Sequence, residues 1–194
     1  MTSSPRSPSP SAAPFAVKVG KALEEFGLLF LEEPVSPENV SSIKRVSSSV
    51  NIRIAAGERR YTRYDFTEVC EERAVDVVQP DPSHAGGISE VRKIASMAEA
   101  YDIMLAPHNV GIVTTAAALH IDASVNNLLI QEFREWGLPH DCLKPKLAIE
   151  NGFFRLPTGP GLGVEVDEDV LKDYPYEQYV IRPKLGSDGA PMNF

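Results

Sequence analysis

Apolar positions in this chain alternate between two patterns. Short, mainly apolar runs occupy residues 28–32, 52–56, 75–79, 103–106 and 128–131. Between them, apolar residues recur every three or four positions. Val19, Leu23 and Phe26 share one face of a predicted helix over 15–26, with Gly27 placed as its C-terminal cap. Val40, Ile43 and Val46 do the same for a helix for which Ser36 is the expected N-cap and Pro37 the first helical residue. Further helices are predicted over 65–72, over 89–101 with Val91, Ile94, Ala95 and Ala98 inward, and over the Ala-rich stretch 113–123. The runs are mainly apolar rather than alternating, broken only by Arg53 and Asp76, and most carry β-branched residues, which favours parallel strands covered on both faces. Strands that alternate with helices define an α/β chain with right-handed crossovers.

Each run ends in a side chain that binds metals or moves protons. The endpoints are Glu32, Glu58, Asp81, His108 and Glu132, separated by 26, 23, 27 and 24 residues. One βα unit of a parallel barrel is roughly 30 residues long, and such barrels keep their chemistry at the C-terminal ends of the strands. An open doubly wound sheet places ligands only near a switch point. Five successive functional endpoints therefore favour a TIM-type (β/α) barrel, of which the chain holds a part, about five βα units.

Composition narrows the function classes. The chain has 194 residues, 43% hydrophobic and 24% charged, enough for one substantial core. Its 19 basic and 27 acidic residues give a net charge of -8 with no basic stripe, so no nucleic-acid partner is expected. An anionic substrate then needs a cation or a local positive site. No apolar run approaches the roughly 20 residues of a membrane helix. Cys70 and Cys142 lack metal-like spacing and read as reduced thiols, consistent with a cytoplasmic protein. Residues 1–14, almost wholly Ser, Pro and Ala, are expected to be a disordered leader.

Glu32 and Glu58, at adjacent strand ends, are of a kind that shares one hard divalent cation such as Mg²⁺. The competing reading is that each acid sits against the positive end of the following helix. Glu33 is the obvious confusion for Glu32, and strand alternation sends the two to opposite faces. Asp81 and His108, on consecutive strand ends, suit a general base whose imidazole is oriented by a carboxylate. A His satisfied by backbone is the alternative. Glu132 either helps stabilise an anionic intermediate or is a solvated acid. His84 is read as a loop residue near substrate, and His120 as structural. Gly159-Pro160-Gly161-Leu162-Gly163 lacks the Lys-Ser/Thr of a phosphate loop and reads as a turn into a short strand.

Several stretches resemble the enolase superfamily: Leu31-Glu32-Glu33-Pro34, Ala56-Gly57-Glu58-Arg59, the run from Gln79-Pro80-Asp81 to Gly86-Gly87-Ile88, and Ala106-Pro107-His108-Asn109. Within it they are similar to the mandelate racemase subgroup, and Gly57-Glu58-Arg59-Arg60-Tyr61-Thr62-Arg63-Tyr64-Asp65-Phe66 resembles its D-galactonate dehydratase-like branch. Residues 157–164 resemble the segment that returns toward that family's capping domain. The resemblance implies a Mg²⁺-dependent lyase, a carbon-oxygen hydro-lyase acting on an aldonate. It would remove the proton next to the carboxylate and expel the β-hydroxyl to give a 2-keto-3-deoxy acid. It makes Glu32 and Glu58 two of three metal ligands, His108 with Asp81 the base, and Glu132 the acid near the enediolate oxygens.

The family's capping domain, first strands, third metal ligand and the acid assisting hydroxide departure have no counterpart in the sequence. The loop Asn109-Val110-Gly111-Ile112 runs one residue shorter than the family's Pro-Gly-containing loop. The expected organisation is a leader at 1–14, a partial enolase C-terminal-domain-like barrel at 15–135, and a C-terminal extension at 136–194. The alternatives are an inactive remnant, a racemase or epimerase of the same superfamily, and a homo-oligomer in which half-barrels complete each other. Two ligands alone should hold Mg²⁺ weakly, so little or no activity is expected of this chain.

Overall fold

The structure, a computed structural model, describes residues 12–133, 140–175 and 178. The expected leader falls largely at 1–11, outside the described residues. Four strands, β1 (Leu31–Glu32), β2 (Ile54–Ala56), β3 (Val77–Val78) and β4 (Met104–Leu105), form one parallel sheet in chain order. The register pairs Leu31 with Ile54, Ala55 with Val77, and Val77 with Met104. Leu128 joins the far edge through a parallel bridge to Leu105. There the Leu105 amide donates to Asn127 O at 2.8 Å and the Leu129 amide donates to Leu105 O at 2.7 Å. The Asn127 side chain fixes this edge by donating to the carbonyls of Ala95 and Ile103.

All five predicted strand runs thus lie side by side, though the ladders are shorter than the runs. Ile52, Val75 and Ile103 are buried without joining a ladder. An apolar run reports burial, whereas a strand requires paired backbone groups.

Each helix of this unit buries one stripe. These are α1 (Ala12–Leu23), α2 (Val40–Ser47), α3 (Thr62–Glu71) and α4 (Ile88–Glu99). The buried residues are Ala13, Ala16 and Gly20 on α1, then Val40, Ile43 and Val46 on α2. Phe66, Val69 and Cys70 follow on α3, and Val91, Ile94, Ala95 and Ala98 on α4. Full burial of Phe66 stabilises the unit by roughly 2–3 kcal/mol. The first helix starts at Ala12 rather than 15, and Gly27 ends its 3₁₀ extension at φ 62°, its amide donating to Glu24 O. The second starts at Val40, not Pro37. Asn39 is its cap and accepts from the Ser42 amide, while the Ser36 hydroxyl is taken by the Glu38 carboxylate. The third starts at Thr62, three residues before the predicted Asp65, because the Asp65 carboxylate turns back to accept the Tyr61 amide at 2.8 Å.

Alternation along the strands separates two layers. Ile54, Ala56, Val78 and Leu105 are at most 1% exposed. On the opposite face Ala55, Val77 and Ala106 form a cluster with Phe30, Met104 and Leu129 against it. Continuing that second face past the strand ends in steps of two leads from Phe30 to Glu32, from Val77 through Gln79 to Asp81, and from Ala106 to His108.

A second compact unit comprises residues 109–123 and the segment from 133 onward, the first comprising the residues up to 108 with 124–132. The expected division near 135 therefore differs, since α5 (Ile112–Asp122) is assigned with the C-terminal segment. That unit holds an antiparallel pair, β5 (Leu143–Lys144) with β8 (Glu165–Val166), and a hairpin, β6 (Ile149–Glu150) with β7 (Phe153–Phe154). A four-residue helix, α6 (Glu168–Leu171), follows. Its core is Ile112, Cys142 and Leu143, with Leu147, Val164, Val170 and Leu171 packed around them. Residues 134–139, 176, 177 and 179–194 of the predicted partial barrel and extension lie outside the described residues. Among the described residues, no helix is long and apolar enough to cross a membrane.

Candidate active site

The strand ends bring the five predicted residues to one place, centred on His108. Its Nδ1 lies 2.7 Å from Asp81 Oδ2, and its Nε2 lies 3.0 Å from Glu58 Oε2 and 3.9 Å from Glu132 Oε2. Asp81 is wholly buried and His108 nearly so, whereas Glu58 and Glu132 keep about a third and a quarter of their side-chain surface (34% and 27%) in solvent. Glu32 is exposed, yet it feels the charges of Glu58, Glu132 and His108.

Local sequence explains the aim of each group. Asp81 is fixed by a tight turn in which its Oδ1 accepts the Ser83 amide at 2.6 Å and the Ser83 hydroxyl at 2.5 Å. Burial works to raise its carboxyl, but the hydrogen bonds from His108 and Ser83 prevail and hold it below the usual carboxylate range. The hydrogen bond to Asp81 raises His108 above its ordinary value against the effect of burial, helped by the charges of Glu132 and Glu58. With carboxylates at both ring nitrogens, the arrangement stabilises the imidazolium, Nδ1–H donating to Asp81 and Nε2–H to Glu58.

Glu58 needs a break in strand alternation. Ala55 faces the inner cluster and Ala56 the other side, so an uninterrupted strand would return Gly57 inward and send Glu58 away. Gly57 breaks the pattern at φ 152°, and a Cβ there would lie 2.7 Å from the Gln79 backbone nitrogen. The next residue thereby reaches His108.

Glu33, the rival of Glu32, turns elsewhere. It sits at φ 36° and forms an ion pair with Arg59. The role of Arg59 as this countercharge had no signal beyond a Glu-Glu pair on one strand end and a Glu-Arg pair on the next. Glu32 is left facing like charges. Although the residue as a whole is exposed, partial loss of water around its carboxyl, followed by repulsion from Glu58, Glu132 and Glu33, raises it above the usual value against the opposing charge of His108.

That crowding of carboxylates is the chemistry a hard divalent cation relieves, and Glu32 and Glu58 are donors of the right kind. The set is incomplete. Among the described residues no three His, Cys, Asp or Glu side chains converge in a metal-binding group, and Glu58 is engaged by His108.

The remaining histidines separate by surroundings. The His84 ring is exposed, with its centroid 6.4 Å from both the Tyr61 and the His108 rings. His120 Nε2 is 3.0 Å from the Leu162 carbonyl, a structural contact within the second unit. The glycine-rich segment beside it is a turn, closed by the Gly163 amide donating to Pro160 O and leading into β8. Asn109, after the base, accepts the Gly111 amide and donates to Thr115 Oγ1, which organises the short loop. Both cysteines are free and buried, and burial pushes the Cys70 thiol up to about 11.

A parallel α/β sheet with acids and one His on successive strand ends is the signature of one group of enzyme domains. Residues 11–170 match the Enolase C-terminal domain-like family, and the chain belongs to it. It is 44% identical over 168 residues to a D-galactonate dehydratase of Variovorax paradoxus (strain S110), covering 81% of this chain and 44% of that enzyme. Among solved structures it is similar to a mandelate racemase/muconate lactonizing enzyme from Sulfitobacter sp (TM-score 0.84, 35% identity, 94% of this chain, 46% of that one). It is also similar to the 3,6-anhydro-D-galactonate cycloisomerase from Zobellia galactanivorans (TM-score 0.77, 36% identity, 84% of this chain, 47% of that one). The chain spans less than half the length of these relatives.

Proposed function

We infer that this chain carries the proton-abstracting half of a sugar-acid dehydratase site, acting on an aldonate of the D-galactonate type. The observation that supports this best is His108 held at Nδ1 by a fully buried carboxylate, with Nε2 turned toward the open strand ends. Nε2 takes the proton from the carbon next to the substrate carboxylate once it is released from Glu58. Asp81 fixes the tautomer that leaves Nε2 unprotonated and stabilises the imidazolium that forms. The C2–H electron pair moves into the carboxylate to give an enediolate. Its return expels the C3 hydroxyl, which departs as water with the proton that Nε2 had taken, and the enol left behind gains a proton at C3 from solvent and loses one from its C2 hydroxyl to give the 2-keto-3-deoxy acid. Glu132 Oε2 is 3.9 Å from Nε2, which supports a role for it next to the reacting carbon and the enediolate oxygens.

Glu32 and Glu58 are the residues that would hold Mg²⁺. A bound cation supplies charge stabilisation to a carboxylate gaining electrons. The set of two donors favours weak metal binding and low turnover.

The test is Mg²⁺-dependent formation of 2-keto-3-deoxy acid by the 194-residue protein from D-galactonate and a panel of aldonates, with His108→Asn alongside. Slow product formation lost in the variant is the expected result. Exchange of the C2 proton for deuterium without elimination would replace the dehydratase with a racemase or epimerase. A folded chain that gives neither product nor exchange overturns the proposal and leaves an inactive remnant.

A further inference from the structure

Two further rings adjoin the base in succession: His108, then His84, then Tyr61, with 6.4 Å between successive centroids. Neither outer ring is used by the proton chemistry, and both are open, Tyr61 with 55% of its surface exposed. Exposed aromatic surface beside a reactive group is a binding feature when its backbone is held in place.

Here it is held. Tyr61 precedes α3, with its amide on the Asp65 carboxylate, and the next residue, Thr62, sits at φ 55°. A positive φ at a β-branched residue is a costly conformation, retained where the surroundings enforce it. The Arg63 guanidinium, paired with Glu90 at 3.1 Å, fixes the first turn that follows. On the other side, the His84 and Ala85 amides both donate to Asp81 O, at 3.0 and 2.7 Å, and Ala85 is fully buried. The buried Asp81 that orients the base therefore also anchors the backbone of His84.

We propose that Tyr61 and His84 form the subsite for the hydroxyl-bearing tail of the substrate, its carbons beyond C3, and so select long aldonates over short hydroxy acids. This rests on the aldonate reading of the His108 site. The chemistry fits a polyol: ring faces accept its C–H surface, while the phenol hydroxyl and imidazole nitrogens exchange hydrogen bonds with its hydroxyls. A tail lying along these rings leaves the carboxylate end at His108.

The test follows binding by NMR on the intact chain with labelled His and Tyr, titrated with D-galactonate and with D-glycerate, which has no carbons beyond C3. Tyr61→Phe and His84→Gln are measured alongside, their His108 signals reporting that the fold is kept. The expected result is that His108 responds to both acids and His84 and Tyr61 to D-galactonate alone. His84→Gln should weaken D-galactonate about tenfold, a loss of about 1.4 kcal/mol, and leave D-glycerate unchanged. Tyr61→Phe should have a smaller effect of the same kind. If His108 responds while His84 and Tyr61 stay silent, or both acids weaken equally in the variants, the subsite is overturned and the aldonate reading stands. Silence of His108 toward both acids overturns that reading and the subsite together.

Discussion

Asp81 Oδ2 and His108 Nδ1 are 2.7 Å apart, joining the ends of two neighbouring strands by a hydrogen bond that the fully buried carboxylate accepts from the imidazole. The folded state raises the His108 value and lowers that of Asp81. A raised His stabilises fully below its unfolded value, near 6.5, and loses this as pH rises through the folded one. A lowered Asp stabilises above its unfolded value, near 3.9, and loses this as pH falls through the folded one. The pair should therefore stabilise most between about pH 4 and 6.5. Asp81→Asn is expected to lower the His108 value, read from its ring proton shifts, and to cost about 1–3 kcal/mol in urea unfolding. An unchanged His108 titration would show that Asp81 does not control the base.

The contact between His108 Nε2 and Glu58 Oε2, at 3.0 Å, sets Mg²⁺ against the imidazolium proton. A cation held by Glu32 and Glu58 withdraws one of the charges that raise His108. Millimolar Mg²⁺ should thus shift the His108 titration downward in the wild type and leave it in place in Glu58→Gln. NMR titration with and without Mg²⁺ reads this independently of turnover, and an unshifted wild type would count against Glu58 as a ligand.

The order of the sheet was readable because each strand core is a continuous apolar run and each run stops at a polar residue. Glu32, Asp81 and His108 follow from simple alternation along the inner face. Glu58 does not, since alternation alone turns it away and only the conformation of Gly57 returns it. Tyr61 and His84 carry no periodic signal. Their positions come from a strained turn and from a loop wrapped on Asp81, both tertiary effects. The second unit leaves little pattern for a different reason: its two-residue strands are too short to show one, and its core joins Ile112 to the Cys142-Leu143 pair much further along the chain.

Gly57 is the position where the least change should do the most damage. A methyl group there meets Gln79 N at 2.7 Å and Gln79 C at 2.9 Å, both backbone atoms of the neighbouring strand, and φ 152° strains any L side chain. Neither contact is relieved by rotating a side chain. Gly57→Ala is expected to destabilise the protein by roughly 3 kcal/mol, combining overpacking with backbone strain. Urea unfolding gives the value, and a loss below about 0.5 kcal/mol, the ordinary range for surface substitutions, would show that the two strands are not in close contact there.

Asp122, the last residue of α5, shields both carboxylate oxygens from solvent with no hydrogen-bond partner among the described residues. Burial pushes its carboxyl up to about 7, and the negative end of its own helix adds to the cost of ionising it. The folded protein then binds this proton more tightly than the unfolded chain, so stability falls as pH rises from about 4 toward 7 and levels off above. The slope opposes that from Asp81, whose lowered value adds stability as pH rises through the acid range. Asp122→Asn keeps the shape and removes the charge. It should gain on the order of 2 kcal/mol at pH 7.5, discounted for partial exposure, and little at pH 4. Unfolding curves of both proteins at the two pH values decide it: a difference independent of pH would mean that the Asp122 carboxyl titrates alike in the folded and unfolded chain.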